Sequence, residues 1–526
     1  MAKIGNSTKR IQDLSGWINR LRSDTNIDDN QCVVSNNWGM EGNKFASVKG
    51  FASIHTFGTS NSRIQWLGSY GDYVVAIQDT TLYVYNLVTW VGANIAITWI
   101  TNLDDFNITI GKFIDIYIIV TNKSGKKNPL SFKLVEWVGT LTLTNDTTQF
   151  SSEAKVATFC PTCSVFYNDM LIFWGSPDSP SAMVNSHAWI SWVTPNWYIF
   201  TWYPTDAQTI WDGSPIVWFL TGQDKLYIWK RNSVWKVDWI TNNPDATTPT
   251  FRFNTTKLTS TGPVNQESII NVEQDIFFYD GHSVRRLSYE ANTLALKDSA
   301  ISDNIQPYIG SFPQDQKNCT SWFSYPYYKL AVRQELSSDN DFVFAYNVIS
   351  KSWITQTWLI TRHAINAYSD KSVAYFWSSY DGTVYKDNTT YTYDGQSIER
   401  NYIGKALDYW DSIDYKRLTE VEISWLISPW HLVNIDILRD SQVIDTREIY
   451  YPSSFWATTW SSVIGASTSW AFWPNSESLI PYVYRYECYD DGRTFQLWVR
   501  DNGTWYFEIQ YFNTMYKFLK AYDLHY

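Results

Sequence analysis

Cys160-Pro161-Thr162-Cys163 is the one CxxC of the chain, a thiol spacing that suits either zinc or thiol–disulfide exchange. Zinc needs a second Cys or His pair at compatible spacing, yet His187 stands alone and Cys319 lies far away in sequence. A redox CxxC opens a helix in a βαβ setting, whereas this one runs into the strand-like Val165-Phe166-Tyr167. Structural thiols are the expectation. The six histidines (His55, His187, His282, His363, His431, His525) form no HxH or HExxH pattern, so metal ligands are not expected. Asp79, Asp212, Asp280, Asp381 and Asp394 all adjoin turn-like residues, where a short carboxylate usually bonds its own backbone. A carboxylate pair suited to glycoside hydrolysis could still meet in space. No GxSxG elbow and no Walker A loop is present. The nearest approach to a phosphate cradle is Thr121-Asn122-Lys123-Ser124-Gly125-Lys126-Lys127, which reads as a solvated basic hairpin tip. Abundant Tyr and Trp suit a glycan platform or a protein interface equally. The expectation is a non-enzyme with no catalytic, cofactor-binding or metal residues.

The elements that would carry such groups are strands. Helical periodicity is nearly absent, and short β-branched and aromatic runs end in Gly, Asn, Asp or Ser. Asp72-Tyr73-Val74-Val75-Ala76-Ile77, a turn at Gln78-Asp79-Thr80, and Thr81-Leu82-Tyr83-Val84-Tyr85-Asn86 make a hairpin. Similar units recur near 113–134, 165–173, 216–237, 276–287, 328–353 and 373–385. With the hairpin at 64–86 they number about seven, spaced by roughly 35 to 60 residues, which points to a β-propeller. Stacked β-sandwiches would supply similar short strands. The repeats carry no WD or kelch signature, so blade number stays open. The predicted fold is all-β: an extended N-terminal arm (1–55), a β-propeller (56–390) and a β-sandwich-like C-terminal platform (391–526). In the last part, Leu418–Ile427 alternates as a strand, Pro452–Pro474 reads as a long loop, and Phe495–Val499 with Trp505–Ile509 reads as a hairpin around Asn502-Gly503.

The chain has 526 residues, 44% hydrophobic and 18% charged, enough apolar material for a large core. Lys and Arg total 41 against 52 Asp and Glu, a formal charge of -11, which argues against general coating of nucleic acid. Five cysteines do not read as a disulfide framework. No apolar run approaches the roughly 20 residues of a membrane helix, and the first residues do not resemble a signal peptide. A soluble globular protein made in the cytoplasm, with no membrane partner, is expected.

Four N-terminal segments occur in a telling order: Asp13-Leu14-Ser15-Gly16-Trp17-Ile18-Asn19, Ile27-Asp28-Asp29-Asn30-Gln31, Ser35-Asn36-Asn37-Trp38 and Val48-Lys49-Gly50-Phe51. This order resembles the opening of tailed-bacteriophage β-propeller virion proteins, the tail-nozzle and packaged-DNA stabilisation proteins of short-tailed phages. A second resemblance runs from Tyr380-Asp381-Gly382-Thr383-Val384-Tyr385 through Tyr393-Asp394-Gly395-Gln396-Ser397-Ile398 to Lys405-Ala406-Leu407-Asp408, where such proteins leave the propeller for a sandwich-like platform. The motifs cover about a tenth of the chain, and their order spans most of it. The resemblance implies a structural, homo-oligomeric ring subunit, hexameric by analogy, at the tail nozzle, hub or head–tail connector. It would contact other tail or connector proteins and enclose a channel through which genomic DNA passes without specific binding. The implied location is the virion. An acidic balance is compatible with such a channel, since a negative wall does not hold phosphates. The alternative is a propeller that binds or cleaves receptor glycans.

Two counts stand apart: 29 Trp exceed 24 Gly, although Trp is ordinarily scarce and Gly common. Trp also stands beside turn formers, as in Gly16-Trp17, Pro195-Asn196-Trp197 and Ser428-Pro429-Trp430. One reading is a genome in which UGA encodes glycine but is translated as Trp. The other is a truly Trp-rich surface.

Overall fold

The computed structural model describes residues between 7 and 518, leaving out 12–17, 20–27, 59–63, 98–105, 123–127, 146–159, 186–207, 244–249, 367–372, 408–415, 451–479 and several shorter stretches. The chain opens with β1 (Ser7–Ile11), β2 (Cys32–Asn36), β3 (Trp38–Glu41), β4 (Lys44–Ser47) and β5 (Phe51–Thr56). Seven four-stranded blades follow among the described residues. Blade 1 holds β6–β9 (64–96), blade 2 β10–β13 (106–145), blade 3 β14–β17 (163–209) and blade 4 β18–β21 (216–259). Blade 5 holds β22–β25 (270–300) and blade 6 β26–β29 (320–361). Blade 7 takes three strands from 363–387, β30–β32, and its outer strand is β5, paired antiparallel to β32. Each of the seven hairpin units expected from the sequence falls in a different blade.

The second strand of a blade is covered on both faces by neighbouring blades, so it must be apolar throughout rather than alternating. Tyr73–Gln78, Met170–Ser176 and Tyr327–Val332 are accordingly buried at every position. In blade 1, Gly71 at φ +57° lets a two-residue turn join Tyr70 to Tyr73.

The C-terminal part is a sandwich of two sheets, built from β33 (Ile398–Gly404), β34 (Lys416–Ile427), β35 (Leu432–Arg439), β36 (Gln442–Tyr450), β37 (Ile480–Gly492), β38 (Phe495–Gly503) and β39 (Phe507–Phe518). One sheet runs β3-β4-β39-β34-β37, with β1 also on β39. The other runs β2-β33-β38-β35-β36 and is continuous with blade 6, because β2 also lies parallel to β29 (Ser352–Thr361). Trp38, Phe45, Tyr402, Trp425 and Phe507 fill the sandwich, and the same apolar cluster extends past Cys32 of β2 into blade 5 at Phe277 and blade 6 at Tyr328 and Trp353.

The segment expected as an arm is woven into the fold: β5 closes the propeller, a role open to such an arm, while β1 to β4 lie in the two sheets of the sandwich. Most of these short strands pair with partners some 320 to 510 residues away, which leaves little local pattern to read. One expectation needs correction. The expected hairpin at Asn502-Gly503 is not one: β38 and β39 lie in different sheets. Asn502 and Gly503 pair with Glu399 and Ile398, so Asn-Gly ends a central strand where the chain crosses the sandwich. The expected loop at 452–474 lies outside the described residues.

Candidate functional site

Two constellations are built by residues far apart in sequence. The first is the seam between propeller and sandwich. Phe51 stacks on Tyr393 with ring centroids 4.9 Å apart, and its backbone bonds Thr392 O and Asp394 N. Ser53 N donates to Asp394 Oδ1 at 3.0 Å. Gly50 faces the Thr392 carbonyl so closely that a Cβ would collide with it, which explains glycine at this position. The buried Tyr393 hydroxyl donates to Asn37 Oδ1 at 2.8 Å, and Asn37 Nδ2 donates to Glu399 O at 2.7 Å. Asn37 itself sits at φ +58°, a conformation its short side chain tolerates. Further along the N-terminal segment, Asn19 Nδ2 and Asp28 N both donate to Gln31 Oε1, and Ile18 N bonds Trp353 O of blade 6. Asn37, Gly50 and Phe51 of the N-terminal motifs thus meet Tyr393 and Asp394 in one place.

A fully buried ion pair stands on each side of this seam. Arg400 Nη1 lies 2.7 Å from Asp501 Oδ2, and its guanidinium also donates to Gly503 O and Tyr391 O. Lys329 Nζ lies 2.8 Å from Asp387 Oδ2, and the Trp322 indole donates to the same carboxylate, tying blade 6 to blade 7. Buried charges persist only when paired and hydrogen-bonded, as both pairs are.

The second constellation is the propeller axis, where the first strands of the blades stand side by side. A cavity of about 330 Å³ lies between blades 1, 4, 5, 6 and 7, with Trp66, Trp218, Glu267, Asn271 and Asn366 among its lining residues. Across the axis, Gln266 of the blade 5 approach donates to Asn107 Oδ1 of blade 2. Other polar side chains stitch neighbouring blades: Asn366 bonds both backbone groups of Phe323, Thr109 Oγ1 donates to Ser164 O, and Asn271 Nδ2 donates to Thr221 O. Among the described residues this geometry leaves a small cup with Glu267 as its one ionisable lining residue, and the Gln266–Asn107 bond lies beside it.

The residues singled out from the sequence fall elsewhere. Cys163 starts the inner strand of blade 3, where the Asn107 amide donates to its sulfur at 2.9 Å, and Cys160 precedes it in a turn at φ +44°. Neither forms a disulfide. Asp280 accepts from His282 N, Ser283 N and Ser283 Oγ, and Asp79 and Asp394 occupy left-handed turn positions. Turn chemistry accounts for Asp280, whereas the Asp394 carboxylate bonds Ser53 N across the seam. His55 lies on β5 against the Tyr85 ring, 3.6 Å between centroids, and burial holds its pKa below the ordinary 6.5. His187, His431, His525, Asp212, Asp381 and the basic tip 123–127 lie outside the described residues. Among the described residues no three His, Cys, Asp or Glu side chains gather as a metal would require, and no helix is long and apolar enough to cross a membrane. The axial residues were missed from sequence; the available signal was their position in the first strand of each repeat.

No protein-family model matches the chain, and no curated protein matches it. Among solved structures, the WD40 domain of SCAP from fission yeast is similar over 62% of this chain and 84% of that one, at 10% identity and a TM-score of 0.33. A chain of a mitotic checkpoint complex is similar over 64% of this chain and 92% of that one, at 9% identity and a TM-score of 0.34. Likenesses this distant carry no argument about function, and the propeller is read from the strand order itself.

Proposed function

We propose that the chain is a structural ring subunit of a tailed-phage virion, placed at the tail nozzle, hub or connector around the DNA exit channel. One observation carries the reading. Two segments of the N-terminal resemblance, Asn36-Asn37 and Gly50-Phe51, meet Tyr393 and Asp394 of the second resemblance at the seam that joins propeller to sandwich. A shared structural place for segments far apart in sequence supports the reading.

Among the described residues, the propeller of one copy offers DNA no passage. A cavity of about 330 Å³, with the Gln266–Asn107 bond beside it, suits a small molecule rather than a duplex. A DNA channel therefore has to form between copies. A closed ring uses two different faces of each subunit, and a stable lateral contact buries on the order of 1,000 Å² or more. Electron cryo-microscopy of purified tails tests this. The expected result is a closed ring of copies, six by the resemblance, centred on the DNA path. A monomer on the particle, or a position away from the DNA path, overturns the proposal.

A further inference from the structure

We propose that the axial cavity is a binding site for a neutral saccharide unit. Its lining contains no Lys or Arg, and Glu267 is its one ionisable residue. Phosphate, carboxylate and nucleic-acid ligands therefore find no counter-charge there. What the lining offers is two half-buried indoles, Trp66 from blade 1 and Trp218 from blade 4, together with neutral amides and hydroxyls. A sugar ring presents the matching pattern, an apolar C–H face for an aromatic plane and hydroxyls around its edge for amides and hydroxyls.

The groups are also held in place. The Trp66 ring lies against Gly68, where any Cβ would collide with it. The Asn271 amide is oriented by its bond to Thr221 O, 3.2 Å, which turns its carbonyl oxygen into an acceptor of fixed direction. Asn366 is fixed by the Phe323 backbone, and Ser321 by the Glu267 carbonyl. Preorganisation of this kind lowers the entropy lost on binding. About 330 Å³ lies at the small end of ligand sites, so the occupant is a single sugar or one terminal residue of a chain.

Saturation-transfer NMR on the full-length protein tests the site, with methyl α-glucopyranoside, methyl β-galactopyranoside and N-acetylglucosamine as probes. Tetramethylammonium and methyl phosphate, each with methyl protons to observe, serve as contrasts. The expected result is saturable transfer to at least one sugar, weakened about tenfold by Asn271→Ala, the effect of one lost hydrogen bond, with methyl phosphate silent. Trp218→Phe, which keeps an aromatic body in the blade, is expected to weaken the same sugar. No transfer to any sugar, transfer unaffected by both variants, or transfer to tetramethylammonium alone overturns the proposal. The proposal does not depend on the ring. The oligomeric mass of the same sample reports on that separately.

Discussion

Trp90 stands at φ +61° with 63% of its surface exposed. Its turn in blade 1 has a counterpart in blade 6. Asn86 Oδ1 accepts from Val88 N and Thr89 N just as Asn347 Oδ1 accepts from Ile349 N and Ser350 N, and Lys351 at φ +56° takes the place of Trp90. A left-handed backbone strains any residue with a Cβ, and a large ring in water recovers little. Trp90→Gly is therefore expected to stabilise the protein by about 1 kcal/mol, read as a rise in denaturant midpoint; a fall would show that the Tyr85 contact matters more. Trp322 and Trp353 differ in kind, being fully buried with their indoles bonded to Asp387 and Ile301 O. These two are what genuine core tryptophans look like. The recoding reading thus predicts glycine masses at positions 17 and 90 and Trp masses at 322 and 353 in peptides of the protein as made in its native source. Trp at both 17 and 90 defeats it. The buried pairs give a sharper stability test: Asp501→Ala leaves Arg400 charged and buried, and is expected to cost about 3–5 kcal/mol in denaturant unfolding.

Closure of the propeller rests on β5, which lies some 330 residues before its partner β32 in the chain. Deleting residues 1–56 removes this strand and also β1 to β4 of the sandwich. The loss should exceed the roughly 5–15 kcal/mol by which domains are stable, so the truncated chain is expected not to melt cooperatively by calorimetry. A cooperative transition would mean the seam is dispensable. The same strand carries a pH dependence through His55. Its folded pKa lies below 6.5, so the unfolded chain binds the proton more readily. Its contribution to stability is present above about pH 6.5 and is lost as pH falls below it through the folded pKa. Amide exchange across β5 and β32 is expected to quicken between about pH 7.5 and 5.5, relative to intrinsic rates, and His55→Phe should flatten that change.

At the scale of the whole molecule, charge and closure decide what the protein can touch. A net charge of -11 opposes non-specific phosphate binding. Purified protein is therefore expected not to retard duplex DNA at about 0.15 M salt. Retardation with a steep salt dependence would point to a basic tract that the net charge conceals. The continuous sheet from blade 6 to β36 bears on mechanics as well: propeller and sandwich share β2 and an apolar core. They should unfold as one cooperative unit, a single calorimetric transition where two separate domains would give two.

Local sequence determined the strands, because alternation, β-branched runs and turn formers act over a few residues. Tyr73–Gln78 and Thr81–Asn86 lie where their pattern puts them, and the seven hairpin units correspond to seven blades. The sandwich strand Lys416–Ile427 was legible in the same way. Pairing between distant strands is not written locally. β2 and β5 pair with strands hundreds of positions away, as does one edge of β4, so an interlaced segment looked like an arm. Asn502-Gly503 looked like a turn for the same reason: its tertiary partners Glu399 and Ile398 hold it as strand. The axial site was invisible for a geometric reason. Trp66, Trp218, Asn271 and Asn366 share no motif, and only closure of the ring of blades brings their strands around one axis.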